Sequence, residues 1–255
     1  VVCSAEKMTS EALRSSADGD WSELKILFFF LASAVLVILL QVATAREGGN
    51  DSACSTAGSA NRSSLHIRRR LQHASTGGVF WALSYIIPPV PGAFMLLLGA
   101  ATLGVFHIVR LRSNAAQDFY LRLFGSLLRP HEMHGLPGAF YFLLGTAFVT
   151  LLCPIDEARL AVLCLSLGDP AAAIVGSSFG GLNLVAHASL GGCLACFSVC
   201  FCLGLLLDFS GRDAFMASAA ATVAEATAGF VGIDDNLFIP IAVGFAMRIG
   251  RGNVA

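Results

Sequence analysis

The chain has 255 residues, of which 56% are hydrophobic and only 13% are charged, and its mean hydropathy is +0.74. About a quarter of the residues of a soluble domain are usually charged, so the missing charge indicates a surface that faces lipid. The formal net charge of −1 provides no bulk attraction to nucleic acid, and no nucleic-acid partner is predicted. The composition therefore predicts an integral membrane protein.

Hydrophobic segments follow one another along most of the chain and predict an all-α, polytopic bundle of transmembrane helices. A helix needs about 20 apolar residues to cross a bilayer. The segments are residues 24–45, 77–90, 91–109, 136–153, 158–176, 189–207, 214–230 and 237–249. The second and the last are short enough to be tilted or re-entrant, so we expect about eight spans, within a range of seven to nine.

The N-terminal 67 residues divide into three parts, of which the second is the first of these spans. Residues 1–23 form a polar tail, residues 24–45 a first transmembrane anchor and residues 46–67 a flexible linker rich in Ser, Gly and Ala. Residues 68–255 then form the multi-span domain. Ala43-Thr44-Ala45 resembles a cleavage site, so the first segment is either a cleaved signal or a retained anchor. The acidic residues ahead of it favour the anchor.

The placement of charge predicts the orientation of the bundle. With eight spans, the arginines of residues 62–70 and 110–129 lie on one face, together with the connections 177–187 and 231–236. The acidic turns around residues 156–157 and 208–213 lie on the other face. An excess of arginine marks the cytosolic side, so the unusual polar motifs are expected to face the cytosol.

Six of the eight cysteines lie in or beside apolar segments, where cysteine usually acts as a small hydrophobic residue. Cys193 and Cys196 form a CxxC, but no second pair and no histidines at zinc-ligand spacing follow it. We therefore interpret these cysteines as packing residues.

Asp169 places a carboxylate inside an apolar segment, in the sequence LGDPAAAIVG. An ionised group there is costly unless it is paired or faces a polar cavity, which makes Asp169 a functional candidate. Pro170 removes a backbone donor and Gly168 loosens the helix, so backbone groups near Asp169 become available to a ligand. The structural alternative is a kinked helix in which Asp169 is capped internally.

Asp234, Asp235 and Asn236 stand at the start of the last segment. Hard oxygen ligands of this kind suit Mg²⁺, which commonly bridges carboxylates and nucleotide phosphates. An Asx-type helix cap would explain the same residues. Glu225, a carboxylate in the preceding apolar segment, favours a functional interpretation, although a buried and internally bonded acid is the alternative for that residue.

Arg68, Arg69 and Arg70 precede the second segment, with His73 close behind. Such residues either set membrane topology and contact lipid phosphates, or bind phosphoryl groups in bidentate geometry. Arg129 and Glu132, ahead of the fourth segment, form a local ion pair or contribute to the same site. The chain contains no Walker-type phosphate loop and no kinase glycine-rich loop.

Four motifs stand in order along the chain: RRRLQH, LLRPHEMHGLPGAFYFLLG, GDPAAAIVGSSFG and AEATAGFVGIDDNLFIP. This ordered set resembles the CTP-dependent lipid kinases, a family that comprises dolichol kinase, phytol kinase and the CTP-type diacylglycerol kinase. The resemblance covers residues 68–248. It implies transfer of the γ-phosphate of CTP to a lipid alcohol, diacylglycerol first and phytol or a dolichol-type polyprenol next. It also implies Mg²⁺ or Ca²⁺ as cofactor and a membrane of the endoplasmic reticulum or a related compartment.

The resemblance assigns roles residue by residue. Arg69 and Arg70 match the basic pair before the family's histidine, which is His73 here. Asp169 and Gly176 match the acid and the closing glycine of the GDP motif, Glu132 matches the acid of the LRxxE motif that begins near Arg129, and Asp235 and Asn236 match the DN pair. From these matches and from the residue chemistry above, we predict catalysis for Asp169 or Glu225, metal binding for Asp169, Asp234 and Asp235, nucleotide or phosphate binding for Arg69, Arg70, Gly168, Gly176 and Asn236, and support for His73, Arg129 and Glu132. The acceptor hydroxyl is expected to enter laterally from the bilayer.

The chain departs from the family pattern after the GDP motif. Ser177 and Ser178 stand where the family carries basic residues, and Ala188 replaces a lysine. The connection between them therefore lacks a fixed positive charge. Two alternatives to a lipid kinase remain: an enzyme similar to phosphatidate cytidylyltransferase, or a catalytically inactive membrane or transport protein.

Overall fold

The computed structural model describes residues 60–124, 128, 130–179, 182–185 and 188–252. The predicted tail, the first anchor at residues 24–45, most of the predicted linker, and Arg129 lie outside the described residues. The first described helix begins at Ala60. Residues 60–67 of the predicted linker are therefore helical. A physical reason is that this stretch contains no Gly or Pro and continues into helix-forming arginine and leucine residues.

The described residues are almost entirely helical, which confirms the predicted all-α class. The helices are α1 (Ala60–Leu83), α2 (Pro89–Arg112), α3 (Asn114–Phe124), α4 (Gly138–Leu152), α5 (Ile155–Leu163), α6 (Asp169–Phe179), α7 (Leu190–Leu206), α8 (Gly211–Val231) and α9 (Asp235–Gly250). A 3-10 turn (Pro130–Met133) precedes α4, and a π-helical segment (Cys164–Gly168) joins α5 to α6. The short strands β1 (Asn183–Val185) and β2 (Ala188–Ser189) pair in antiparallel fashion between α6 and α7.

Three described helices are long and apolar enough to cross a membrane: α2, the continuous helix formed by α5, the π segment and α6, and α8. The helices α4 and α7 are apolar but shorter. These helices confirm a polytopic bundle, whereas the number of eight spans stays a prediction.

The boundary between the second and third predicted segments was placed too late. We predicted segments at residues 77–90 and 91–109, but α1 ends at Leu83 and α2 begins at Pro89. Proline is favoured in the first turn of a helix, because the N–H groups there have no hydrogen-bond partner within the helix. Pro88, directly before α2, has an extended backbone conformation, as is typical of a residue that precedes a proline.

The core lies between α4, α5, α7, α8 and α9, where small residues let the helices approach closely. Ala217 and Ala221 of α8 are fully buried, as are Cys196 and Cys200 of α7. Close packing of small residues is the usual source of helix association in lipid, because lipid tails are as apolar as the side chains. The described cysteines are free thiols.

The predicted irregularity before Asp169 takes the form of the π-helical segment. Pro170 has no N–H to donate to the preceding turn, and a π turn accommodates such a missing bond. A β-carbon on Gly168 would lie 2.7 Å from Sγ of Cys200. Glycine is therefore needed for α7 to pack against this segment.

Polar residues collect at both ends of the bundle. At one end Arg251 binds Asp213 and Glu157, with N–O distances of 2.9 Å, and so connects the first turns of α5 and α8 to the end of α9. The beginnings of α4 and α9 lie at the other end, because successive helices run in opposite directions. We call this the motif end, since it carries Glu132 and Asn236.

Candidate functional site

Three predicted site residues meet beside the first residue of α4. Nη2 of Arg69 lies 3.1 Å from Oε1 of Glu132. A β-carbon on Gly138 would lie 3.0 Å from Oε1 of Glu132, 3.1 Å from Nδ2 of Asn236 and 3.7 Å from Nη2 of Arg69. The missing side chain of Gly138 thus leaves room for Arg69, Glu132 and Asn236, which come from α1, the 3-10 turn and α9. We call these three residues the polar cluster.

The polar cluster is largely withdrawn from solvent. Glu132 is 3% exposed and Asn236 is 4% exposed, whereas the side chain of Arg69 retains 26% exposure. A buried carboxylate is tolerated only when it is paired, and the guanidinium of Arg69 supplies the opposite charge. The sequence left open whether Glu132 forms a local ion pair or contributes to the same site as the first motif. The structure shows Glu132 paired with Arg69 of that motif, whereas Arg129 lies outside the described residues.

Asn236 is oriented by its two acidic neighbours at the start of α9. Oδ1 of Asp234 accepts hydrogen bonds from the backbone N–H and from Nδ2 of Asn236, at 3.1 and 2.8 Å. Asp234 is therefore the helix cap, which was the structural alternative for this motif. Because Nδ2 donates to Asp234, the amide presents Oδ1 as a hydrogen-bond acceptor.

Arg110 of α2 holds the segment that carries Glu132. Its guanidinium donates to the carbonyl oxygens of Glu132 and Met133, at 3.2 and 2.9 Å, and also to that of Gly135. It lies over the ring of Tyr120, 4.3 Å from the centroid, and is only 2% exposed. In the sequence, Arg110 contributed only to the predicted orientation of the bundle. The available signal was its position directly after the apolar segment 91–109, since an arginine next to a membrane span often faces the interior of the bundle.

A cavity of about 550 Å³ extends from the polar cluster into the bundle. Its walls come from α1, α2, α4 and α5 and are mostly apolar, with Phe80, Leu96 and Leu143 among the lining residues. His73 also lines it, and its ring packs edge-to-face on Phe142 at a centroid distance of 5.1 Å. The cavity therefore has a charged end beside the polar cluster and an apolar body.

Arg70 lies within electrostatic range of Asp169. Burial lowers the pKa of Arg70 from its ordinary value, and the negative charge of Asp169 acts in the opposite direction. Successive residues of an α-helix are separated by about 100° around its axis, so Arg69 and Arg70 leave α1 in different directions. The two arginines therefore have different protein neighbours, and their joint role in phosphate binding stays a prediction.

The remaining predicted residues fall into two groups. Asp235, which precedes Asn236, and Glu225 of α8 are both candidate carboxylates. They lie within electrostatic range of each other. Gly176 instead lies at a helix contact, where a β-carbon would lie 2.8 Å from Oγ of Ser189. Gly176 thus allows α6 and α7 to pack, and Ser177 and Ser178 lie exposed at the end of α6.

No group of three or more His, Cys, Asp or Glu residues that could hold a metal ion occurs among the described residues. Mg²⁺ usually takes one or two protein carboxylates and completes its shell with phosphate oxygens and water. The carboxylates of Asp169 and Asp235 have the donor chemistry for such a nucleotide-bound ion. They fit a cation that arrives with a phosphate substrate better than one held by protein ligands alone.

Together, the apolar helices and the buried charged residues at one end define a polytopic membrane protein with a polar site beside an apolar cavity. No protein-family model matches the chain, and no solved structure matches it. Three relatives do, and each is called CTP-dependent diacylglycerol kinase 1. The Eremothecium gossypii protein is 30% identical over 138 residues, which cover 52% of this chain and 43% of that protein.

The Saccharomyces cerevisiae protein is 28% identical over 142 residues, covering 52% of this chain and 47% of the relative. The Schizosaccharomyces pombe protein is 28% identical over 200 residues, covering 69% of this chain and 88% of the relative. The chain thus matches less than half of the first two relatives and most of the third. These similarities support the CTP-dependent lipid kinase family for this chain and confirm the resemblance of its motifs.

Proposed function

We propose that this protein transfers the γ-phosphate of CTP to the hydroxyl group of a membrane lipid alcohol, with diacylglycerol as the preferred acceptor. The observation that carries this proposal is the polar cluster of Arg69, Glu132 and Asn236 at the end of a largely apolar cavity. A phosphate donor from the cytosol and an acceptor from the bilayer can meet only where charged and apolar surfaces adjoin. The names of the three relatives support CTP and diacylglycerol as the two substrates.

Phosphoryl transfer depends mainly on positioning and on neutralisation of phosphate charge. In the proposed site Arg69 and Arg70 bind phosphate oxygens from two sides, and Asp169 with Asp234 or Asp235 binds the divalent cation. Asp234 also caps α9 through the hydrogen bonds that its Oδ1 accepts from Asn236. Mg²⁺ or Ca²⁺, when bound, neutralises negative charge on the phosphates.

In the proposed reaction, the hydroxyl oxygen of the lipid forms a bond to the γ-phosphorus. The bond between that phosphorus and the oxygen bridging to the β-phosphate breaks, and CDP leaves with the electron pair. The hydroxyl proton passes to a carboxylate, for which Asp169 and Glu225 are the two candidates. Both carboxylates belong to membrane helices at the motif end of the bundle.

The proposed cellular setting is the endoplasmic reticulum or a related endomembrane, with the motif end towards the cytosol and residues 68–255 acting as the kinase-like domain. The arginines that precede the described spans at this end support the orientation, because such residues are enriched on the cytosolic side.

The direct test uses the full chain in phospholipid vesicles that contain diacylglycerol, with γ-labelled CTP and either Mg²⁺ or Ca²⁺. We expect labelled phosphatidate, and we expect Asp169→Asn to lower its formation by roughly 100-fold or more, as is typical for loss of a charge that stabilises the transition state. Asp156→Asn is the matched control, because Asp156 is 74% exposed in the turn at the opposite end of the bundle. It should retain activity.

Two parallel arms identify failure of the proposal. Label transferred to lipid from α-labelled CTP would show cytidylyl transfer instead of phosphoryl transfer. Phytol and a dolichol-type prenol, offered in place of diacylglycerol, test the acceptor, and better use of either would overturn the stated preference. No labelled lipid from any acceptor would contradict the kinase function itself.

A further inference from the structure

One face of α4 forms a continuous wall of the cavity. Gly138, Phe142, Thr146 and Thr150 recur every four residues and all line it. At 1.5 Å per residue, the distance from Gly138 to Thr150 is about 18 Å. Half of the hydrocarbon core of a bilayer is about 15 Å thick, so this wall is long enough for the chain of a lipid from a single leaflet.

Among the residues that line the cavity, Nε1 of the partly exposed Trp81, Oγ1 of Thr146 and Oδ1 of Asn236 have no hydrogen-bond partner among the described residues, and the last two atoms belong to buried residues. Thr146 is 3% exposed and Asn236 is 4% exposed, and both residues line the cavity. An unpaired buried polar group costs about 1–3 kcal/mol. Polar side chains with this burial and position point to ligand atoms that complete their hydrogen bonds.

The chemistry of the two atoms is complementary. Oδ1 of Asn236 is an acceptor, because Nδ2 of the same amide donates to Asp234. The hydroxyl of Thr146 is able to donate. One buried acceptor and one buried donor in a mostly apolar cavity match a ligand with a hydroxyl group and a carbonyl oxygen.

The cavity borders the surface that faces lipid. Its walls include α1 and α2, which pack on different neighbours: α2 on α3 and α4, and α1 on α5, the π segment and α6. Large apolar side chains of α2, including Phe94, Leu98 and Val105, are more than half exposed. An acyl chain in the cavity can therefore continue into the bilayer between α1 and α2.

We propose that this cavity is the diacylglycerol site, in which the acceptor hydroxyl donates to Oδ1 of Asn236 before CTP binds and one ester carbonyl accepts a hydrogen bond from Thr146. When CTP is bound, the hydroxyl turns its proton from Asn236 to the carboxylate that accepts it. One acyl chain lies along α4 and the other reaches the bilayer. This assignment rests on the proposed function, and it adds the contact that selects the acceptor: a prenol has a hydroxyl but no ester carbonyl for Thr146. The hydroxyl is thereby placed near Arg69, where the phosphate would arrive.

The first test compares diacylglycerol with a dialkylglycerol, which has the same hydroxyl and chains but no ester carbonyls. In the unaltered protein we expect diacylglycerol to have the lower KM, by about five-fold, which corresponds to one net hydrogen bond of about 1 kcal/mol. Thr146→Val should abolish this difference by raising the KM for diacylglycerol, while the KM for CTP stays unchanged. An undiminished preference in Thr146→Val would overturn the proposal.

Thr150→Val is the matched control for this variant. Thr150 lines the same cavity one turn further along α4, but its hydroxyl already donates to the carbonyl oxygen of Thr146 at 2.7 Å. It should retain the preference for diacylglycerol. Loss of preference in both variants would indicate a general effect of polarity in the wall and would contradict a specific contact of Thr146.

The second test measures binding without turnover and so separates this inference from the kinase function. A photoactivatable diacylglycerol is crosslinked to the Asp169→Asn protein in vesicles, and the labelled peptides are identified by mass spectrometry. We expect label in α1, α2 and α4, suppressed by excess diacylglycerol. Labelling there, with no kinase activity in the unaltered protein, would sink the proposed function alone. Labelling elsewhere, with kinase activity in the unaltered protein, would sink the cavity assignment alone.

Gly99→Leu provides a variant that fills the cavity in the same crosslinking experiment. Gly99 lines the cavity, and a β-carbon there would lie 3.2 Å from Cδ1 of Leu143 on the opposite wall. Labelling should fall at least five-fold. Gly78→Leu, where a β-carbon would meet no described atom within 4 Å, should leave labelling unchanged. Equal labelling of both variants would contradict the assignment.

Discussion

At the scale of single residues, the most informative side chain is the buried guanidinium of Arg110. It donates to three backbone carbonyl oxygens and to the side chains of His107 and Gln117, and it lies over the ring of Tyr120. Hydrogen bonds from a charged donor are stronger than those between neutral groups. Arg110 therefore positions the segment that presents Glu132 to Arg69, although it lies outside all four sequence motifs.

Replacing Arg110 should disturb stability and the polar cluster together. Arg110→Met leaves the carbonyl oxygens of Glu132, Met133 and Gly135 without this donor, so we expect a loss of at least about 2 kcal/mol. Thermal unfolding in mild detergent measures the change. Arg112→Met, at an exposed position at the end of the same helix, is the control and should unfold like the unaltered protein. Equal melting temperatures for both variants would remove this role from Arg110.

At the scale of helices, the π segment decides how α1 approaches the bundle. A β-carbon on Gly77 would lie 1.6 Å from Oγ and 2.3 Å from Cβ of Ser166, which is fully buried in the π segment. Rotation of the serine side chain moves Oγ but leaves Cβ in place, so it cannot relieve both contacts. The contact of Gly77 with Ser166 thus sets the distance between the helix carrying Arg70 and the helix carrying Asp169.

This contact leads to a comparison of two adjacent glycines. Gly77→Ala should force α1 away from the π segment and cost about 1–3 kcal/mol through overpacking. Kinase activity should fall with it, because Arg70 and Asp169 separate. Gly78→Ala meets no described atom within 4 Å and should be neutral or slightly stabilising, since alanine favours the helix. Melting temperature and turnover of the two variants are measured side by side, and similar values would contradict the close contact.

At the scale of the whole molecule, the two ends of the bundle have different tasks. The motif end holds the proposed reaction site, whereas the opposite end is connected by Arg251, which binds both Asp213 and Glu157. Glu157 is 1% exposed, so its charge depends on this partner. The ion pairs join the beginnings of α5 and α8 to the end of α9 far from the polar cluster.

Breaking the ion pairs of Arg251 should therefore lower the free energy of unfolding but leave the kinetic parameters of the proposed reaction nearly unchanged. Arg251→Met leaves the buried carboxylate of Glu157 without its partner, and we expect a loss of about 1–3 kcal/mol after allowing for the partial exposure of Arg251. The KM values for CTP and lipid should be unchanged at temperatures where the protein is folded. Arg212→Met, which alters an exposed arginine beside Asp213, is the control. A large change in KM with unchanged melting temperature would contradict this division.

The sequence alone determined the all-α membrane class, the main apolar helices and the resemblance to the CTP-dependent lipid kinases, because hydropathy and short ordered motifs depend on residues close together in the chain. It also singled out Asp169, since a carboxylate in an apolar segment is unusual whatever surrounds it. The roles of the site residues in catalysis stay predictions. The sequence could not show that Asp234 caps α9, because a cap and a metal ligand require the same residue types.

Only the tertiary structure decided which of these residues are neighbours. Glu132 pairs with Arg69 across 63 positions of the chain, while Arg70, the next residue, lies within electrostatic range of Asp169. Neither the cavity nor the role of Arg110 could be predicted from the sequence, because both arise where separate helices pack against one another. The physical reason is that a side chain's direction around a helix is local, whereas the group it meets depends on how the helices pack.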